Sequence, residues 1–236
     1  MKEKRVVIFG GSFNPPGLHH RKLAEALALQ FDEVVVLPCG NRPDKETSHI
    51  ISDEDRALLI KLNFGNIKNV TLDLSDIKSG EFARTYDIDK RMKEKYGDNI
   101  WHAVGMDLVA GGENNQSEIQ LHWERGQELW QGCKFVVMTR EKGIYNAKDF
   151  PPNSVLLDLD FFGSSTEIRR RIKADLPIDE LVLPEVELYI EKNRLYREAQ
   201  ARQARPACAR ASAGRQARPC TTNCYTFGFR ASERDK

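Results

Sequence analysis

Long hydrophobic runs are missing from this sequence of 236 residues, and no stretch approaches the roughly 18 to 20 consecutive apolar residues of a membrane span. The apolar run at 6–9, directly after the charged start, is too short for a secretory signal. The five cysteines stand at 39, 133, 208, 220 and 224, a number and spacing that suit neither a disulfide framework nor a C-x-x-C metal pair. We therefore expect a cytoplasmic protein without a membrane segment and without a metal centre built from its own side chains.

A dominant charge sign is missing as well. Lys and Arg number 36 against 35 Asp and Glu, a net charge of +1 that argues against a general nucleic-acid or membrane-surface binder. Residues 199–236 carry eight basic and two acidic side chains, which leaves 1–198 with 28 basic and 33 acidic ones and a net charge of −5. This tail has almost no apolar periodicity and repeats R-Q-A-R-P at 202–206 and 215–219. Because burial cannot offset its ordering entropy, we predict a disordered or artefactual extension, with a functional basic arm as the alternative.

Short apolar runs alternate with helical patterns along residues 1–198. The predicted strands cover 5–9, 33–37, 70–74, 100–104, 134–138 and 154–159, and the predicted helices cover 18–29, 53–62, 85–95, 164–173 and 184–195. Such alternation is typical of a parallel sheet with crossover helices on both faces. We therefore predict a Rossmann-like, doubly wound α/β fold with 1–198 as a single domain. In that architecture ligands bind at the carboxyl ends of the strands.

The first predicted strand ends in a glycine-rich loop that runs directly into a helix, where residues 10–20 read G-G-S-F-N-P-P-G-L-H-H. Glycines at a strand end let a phosphate approach the backbone, and the start of a helix offers free N–H groups and a positive dipole end. The loop matches neither the G-x-G-x-x-G of dinucleotide-binding dehydrogenases nor the G-x-x-x-x-G-K-[ST] of P-loop enzymes. The candidate phosphate contacts are Gly10, Gly11, Ser12, Phe13, His19 and His20.

This loop resembles the first signature of the nucleotidyltransferase superfamily, G-G-x-F-D-P-x-H-x-G-H. His20 matches the second histidine of that pattern, and Asn14 replaces its aspartate. Gly17 stands where the pattern has its first histidine, and His19 stands where it has glycine. The resemblance implies that His20, helped by His19, stabilises negative charge at a triphosphate. The glycine at 17 keeps open a second hypothesis, a nucleotide-binding relative that has lost catalysis.

A second phosphate motif follows the last predicted strand, where residues 163–169 read G-S-S-T-E-I-R. Ser164 or Ser165 can cap the helix, so that the next backbone amides and hydroxyls are available to phosphate. Arg169 presents a forked, permanently charged donor about one turn later. The segment resembles the superfamily's S-[ST]-T-x-I-R signature at every defined position. The resemblance implies that Ser164, Ser165, Thr166 and Arg169 hold the outgoing phosphates.

Looser segments between the two signatures resemble the nicotinate and nicotinamide mononucleotide adenylyltransferases. Residues 38–45, P-C-G-N-R-P-D-K, resemble P-x-x-x-x-P-H-K, and residues 85–89, T-Y-D-I-D, resemble S-Y-T-x-D-T. Residues 101–107, W-H-A-V-G-M-D, resemble a strand that ends in G-x-D. The resemblance implies that Gly105 and Asp107 contact adenosine, and that Lys45, Tyr86 and Trp123 contact the pyridine mononucleotide.

The reaction that this resemblance implies is attack by a mononucleotide 5′-phosphate on the α-phosphorus of ATP, with release of pyrophosphate. A phosphate is already an adequate nucleophile, so positioning and charge neutralisation do the catalysis. Mg²⁺ is expected to bind with ATP, through phosphate oxygens and water rather than a protein cage. Transfer to another phosphorylated acceptor is the alternative among enzymes. The choice between the acid and the amide, and the oligomeric state, a homo-oligomer included, stay open at this point.

Overall fold

The computed structural model describes residues 3–40, 50–139, 143, 145–160 and 163–197. All of them lie in one compact unit, Met1–Glu198. The predicted tail at 199–236 lies outside the described residues, so its assignment stays a prediction.

Six strands and nine helices are present within the described ranges. The strands are β1 (Val6–Gly11), β2 (Glu33–Pro38), β3 (Val70–Leu72), β4 (Ile100–Gly105), β5 (Lys134–Met138) and β6 (Ser154–Leu157). The helices are α1 (Leu18–Gln30), α2 (Asp53–Phe64), α3 (Ser75–Ser79), α4 (Thr85–Tyr96), α5 (Met106–Val109), α6 (Glu118–His122), α7 (Gly126–Gly132), α8 (Ser165–Lys173) and α9 (Pro184–Lys192).

The strands form one sheet in the order β3-β2-β1-β4-β5-β6, and every neighbouring pair is parallel. The order runs outward in both directions from β1 and β4, which is the arrangement of a doubly wound sheet. The predicted Rossmann-like fold is therefore confirmed.

Both faces of the sheet are covered, which explains why its strands read as apolar runs rather than as alternating patterns. On one face, Val7 and Phe9 of β1 pack with Leu27 of α1 and Phe64 of α2. On the other face, Val6 and Ile8 pack in a cluster with Met92 of α4. A third cluster joins α8 and α9 to the outer side of α2. This scaffold holds the loops at the carboxyl ends of β1 and β4 between two buried layers.

Two differences from the predicted elements have local causes. The last helix was expected to reach 195 but ends at Lys192, because Arg194 adopts a positive φ of 52° and turns the chain. Leu195 and Tyr196 are then buried by tertiary packing, which gives them an apolar pattern without a helix. Four short helices, α3, α5, α6 and α7, were not predicted, because their lengths of four to seven residues are too short for a clear period.

None of the described helices has the length and apolar character needed to cross a membrane.

Candidate active site

A cleft of about 820 Å³ is lined by the loops that follow β1 and β4, where the strand order reverses. In a doubly wound sheet this reversal opens a crevice, because the crossovers on its two sides leave to opposite faces. The cleft brings together most of the residues proposed for phosphate and nucleotide contacts. Those that line it are Gly10, Gly11, Ser12, Phe13, His19, His20, Gly105, Asp107, Trp123, Ser164, Ser165 and Thr166.

The loop after β1 carries the first group of candidates. Phe13 has a positive φ of 45°, and its ring packs edge-on against Phe9 and Phe64 in the core. Gly17 is the N-cap residue of α1, and its N–H donates to Nδ1 of His20 at 3.2 Å. Because Nδ1 accepts this bond, a neutral His20 carries its hydrogen on Nε2. His20 is thereby prepared to donate a hydrogen bond to a phosphate oxygen.

The second group lies at the start of α8. Oγ of Ser164 caps the helix by accepting the N–H of Glu167 at 3.1 Å, as the sequence predicted. Arg169 donates from Nη2 to Oγ1 of Thr166 at 3.2 Å and from Nη1 to the carbonyl of Asn14 at 2.5 Å. Arg169 does not itself line the cleft in the described structure, but it contacts a residue of each signature loop.

The charge of Arg169 has no protein counter-ion among the described residues, since both of its hydrogen-bond partners are neutral. Burial lowers the pKa of Arg169, because desolvation disfavours the charged guanidinium. Its neighbours on the same helix differ, since Arg170 and Arg171 pair with Glu167 at 2.7 and 2.9 Å. A half-buried cation of this kind favours an anionic ligand.

Two further contacts from distant parts of the chain hold the first loop. The hydroxyl of Tyr196 donates to Oδ1 of Asn14 at 2.6 Å, and both residues are buried. Burial raises the pKa of Tyr196 above its ordinary value, so the phenol keeps the proton that it donates. Oγ of Ser165 donates to the carbonyl of Pro15 at 2.8 Å. Sequence reasoning missed Tyr196, because no local pattern links it to a loop 182 residues away.

The strand end proposed for adenosine has a geometry that depends on glycine. Gly105 is the N-cap residue of α5, and Asp107 lies in the first turn of that helix. A Cβ atom at 105 would overlap Oδ1 of Asp107, so the glycine permits this carboxylate to fold back over the strand end. Both residues line the cleft beside the β1 loop.

Of the three residues proposed to contact the mononucleotide, the structure places only one in the lining of the cleft. Trp123 ends α6 and lines the cleft. Tyr86 lies in the first turn of α4, where the Arg125 guanidinium stands 4.0 Å from its ring centre, and it does not line the cleft in the described structure. Lys45 lies in 41–49, outside the described residues.

Several lining residues were not singled out from the sequence: Cys39, Asp76, Phe82, Arg84 and His122. Arg84 immediately precedes the T-Y-D-I-D segment, and a basic residue beside a suspected mononucleotide motif was a readable signal. The positions of the others follow from tertiary structure, and no pattern in the sequence indicates them.

Candidate side-chain ligands for a divalent cation form one group among the residues that the structure describes. Within the described ranges, the ligand atoms of Asp89, His102 and Cys133 lie within 4.8 Å of one another. The carboxylate of Asp89 is already bound by His102 Nε2 at 2.9 Å and by Lys93 Nζ at 2.5 Å, and burial raises the pKa of the Cys133 thiol to about 12. This group is therefore a satisfied polar network. A cation that enters with a triphosphate would be held by phosphate oxygens and water, the ligands that Mg²⁺ prefers.

The acid–base behaviour of this network also follows from its contacts. Burial alone would raise the pKa of Asp89, but the hydrogen bond from His102 and the ammonium of Lys93 outweigh it and lower that pKa to about 2.

Comparisons with known proteins agree with the fold and the motifs. The model of the cytidylyltransferase-like family matches residues 8–171. A probable nicotinate-nucleotide adenylyltransferase of Borrelia hermsii is 31% identical over 197 residues, which is 81% of this chain and 97% of the relative. The nicotinate-nucleotide adenylyltransferase of Bacillus subtilis is 27% identical over 197 residues, covering 82% of this chain and 98% of the relative.

A solved structure supports the architecture. The nicotinic acid mononucleotide adenylyltransferase of Plasmodium falciparum complexed with NaAD aligns with a TM-score of 0.66 at 23% identity, covering 82% of this chain and 98% of that chain. At this identity the likeness concerns the fold alone.

The parallel sheet, the cleft at its switch point and the two phosphate motifs define an α/β nucleotidyltransferase. The chain belongs to the cytidylyltransferase-like family and, within it, to the nicotinate-nucleotide adenylyltransferases. The resemblance predicted from the two signatures is therefore confirmed.

Proposed function

We propose that the protein transfers the adenylyl group of ATP to nicotinate mononucleotide. An oxygen of the mononucleotide 5′-phosphate forms a bond to the α-phosphorus of ATP, and the bond from that phosphorus to the bridging oxygen breaks. Pyrophosphate leaves with the electron pair of the broken bond, and the product is nicotinate adenine dinucleotide. No covalent intermediate on the protein is needed, because the attacking phosphate is already nucleophilic.

The observation that carries this proposal is the state of Arg169. Its guanidinium is half-buried, its pKa is lowered by desolvation, and the described residues supply it with no carboxylate. It stands one turn into α8, whose first amides and hydroxyls face the same cleft as the glycine loop. A fork-shaped cation beside a helix N-terminus suits a polyphosphate, for which both features are common receptors.

In this proposal, different site residues contact different parts of the triphosphate. Ser164, Thr166 and Arg169 hold the outgoing β- and γ-phosphates. His20 donates from Nε2 to the charge that develops near the α–β bridge, an arrangement supported by the bond that its Nδ1 accepts from Gly17. The backbone of 10–13 lies against the same part of the nucleotide.

The two nucleosides contact the remaining walls of the cleft. Asp107, beside Gly105, receives the adenosine ribose, and Trp123 borders the pyridine ring. We retain Lys45 and Tyr86 as contacts of the mononucleotide phosphate and ring, and these two assignments rest on the resemblance of their motifs. The names of the relatives support the acid over the amide as acceptor.

Mg²⁺ bound to ATP would neutralise charge on the triphosphate and polarise its phosphorus–oxygen bonds. Since no group of three or more candidate ligands within the described residues includes a carboxylate that lines the cleft, the ion would arrive with the nucleotide. We also retain the cytoplasm as the expected compartment.

The test is product formation by the purified protein with ATP and Mg²⁺, in separate tubes with nicotinate mononucleotide, nicotinamide mononucleotide and no acceptor. Chromatography should show a dinucleotide and an equal amount of pyrophosphate, with more product from the acid. Product from the amide alone would reverse the acceptor assignment. Bound ATP without product in any tube would favour either another phosphorylated acceptor or the non-catalytic relative that Gly17 suggested.

A further inference from the structure

The imidazole of His19 lies between two glycines, one from each signature loop. A Cβ atom built on Gly17 would stand 2.8 Å from both Cε1 and Nδ1 of this ring. A Cβ atom built on Gly163, whose φ is 136°, would stand 2.8 Å from Nδ1. Real Cβ atoms essentially never approach other atoms this closely, so both positions must lack a side chain for the ring to stay where it is.

The ring of His19 occupies the space that the first side-chain atom of a larger residue at 17 would need. The superfamily pattern has histidine at the position of Gly17 and glycine at the position of His19, so this chain carries the two residue types in exchanged order. A side chain at 17 would also meet Cδ1 of the buried Ile168 at 2.9 Å. Residue 17 is therefore closed to a larger side chain chiefly by the His19 ring, since Cδ1 of Ile168 is the end of a side chain and can shift.

The ring of His19 also remains next to the other predicted charge-stabilising group. It lies beside His20 with ring centroids 3.8 Å apart, and both histidines line the cleft. Gly17 lies next to both rings, since a Cβ atom on it would overlap His19 and its own N–H donates to Nδ1 of His20. A shift of His19 would thus disturb the second histidine as well.

We propose that the exchange is compensated: His19 supplies from helix position 19 the phosphate-contacting imidazole that the pattern places at 17. This inference rests on the proposed function, and it removes the main argument for a relative that has lost catalysis. If this is correct, Gly17→His does not restore phosphate binding, because the new side chain displaces the imidazole of His19.

The first test compares four proteins: the parent, Gly17→His, His19→Gly and the double exchange. For each, calorimetry gives the Kd for a non-hydrolysable ATP analogue with Mg²⁺, and steady-state assays give kcat and KM. Each single change should weaken analogue binding and lower kcat by about tenfold or more, and the double exchange should return both to within about threefold of the parent.

A second cycle avoids bulky side chains and protects the test against failure to fold. Gly17→Ala should weaken analogue binding in the parent, because its methyl group displaces the His19 ring. In a His19→Ala background the same change should alter Kd by less than about twofold, because the ring is gone and the remaining close atom, Cδ1 at the end of the Ile168 side chain, can shift by rotation. Thermal melts of all variants separate loss of binding from loss of structure.

Three results would overturn the proposal. The first is a gain of turnover in Gly17→His alone. The second is losses that multiply in the double exchange instead of cancelling. The third is a lowered Tm of His19→Ala with an unchanged Kd, which would make His19 a packing residue only. Because analogue binding needs no acceptor, a parent that binds the analogue but forms no dinucleotide would refute the proposed function and leave this inference testable.

Discussion

Replacing Arg169 by alanine removes the forked cation that reaches from α8 to the loop after β1. The guanidinium donates to the carbonyl of Asn14 and to Oγ1 of Thr166, and it has no acidic partner among the described residues. Its charge is therefore available to the leaving pyrophosphate. Loss of one such donor costs on the order of 2 to 4 kcal/mol in the transition state, which corresponds to about 30- to 900-fold in kcat/KM.

The assay is kcat/KM for ATP at saturating acceptor, with a thermal melt to verify folding at the assay temperature. Arg170→Ala is the matched control, because it removes the same side chain from the next position, where the residue is exposed and paired with Glu167. We expect kcat/KM within twofold of the parent for this control. Arg169→Lys keeps the charge without the fork and should fall between the parent and Arg169→Ala. A value for Arg169→Ala within twofold of the parent would refute the assigned role.

Three further predictions concern groups outside the phosphate contacts. Tyr196→Phe removes the hydrogen bond that the phenol donates to the buried Oδ1 of Asn14 and should lower the free energy of unfolding by about 0.5 to 1.5 kcal/mol in urea melts, whereas Tyr145→Phe, at an exposed site, should change it by less than about 0.5 kcal/mol. Asp89 has a folded pKa of about 2 against an ordinary value of 3.8, so its ionised form stabilises the fold above that value and the contribution disappears as the pH falls toward 2. Asp89→Asn should therefore lose less stability than the parent between pH 4 and 2, and parallel curves would contradict this. Cys133, whose pKa burial raises to about 12, should resist iodoacetamide at pH 8 until the protein is denatured, as read by mass spectrometry.

The sequence predicted the sheet well because β1, β2 and β5 are largely buried and therefore read as apolar runs. Lys134–Met138 has the bounds that its apolar run predicted, and the other strands differ by a few residues at their ends. The glycine loop and the serine cap could also be predicted, since each acts within a few residues of the strand or helix that carries it. Both are local features, and local features leave patterns in sequence.

Contacts between distant segments could not be predicted in this way. Tyr86, which is predicted to contact the mononucleotide, also has the Arg125 guanidinium 4.0 Å from its ring centre, and nothing near either residue in the sequence indicates that pair. Likewise, the sequence alone suggested a damaged motif, because Gly17 stands where the pattern has histidine. In the structure the His19 ring lies beside Gly17, and this position of the ring also requires a glycine at 163, far away in the sequence. Such interactions become visible only when the chain is folded.

The loop at 14–17 makes hydrogen bonds to Ser165, Arg169 and Tyr196, which lie 150 to 182 residues further along the chain. Synthesis on the ribosome therefore produces the glycine loop and both histidines long before the groups that hold them. A nascent chain that ends before α8 contains all six strands of the described sheet but lacks the cation and the helix start that we propose to bind phosphate. On the proposed function, nucleotide affinity is thus acquired only after α8 has been synthesised, and a bound nucleotide would stabilise only chains that contain α8.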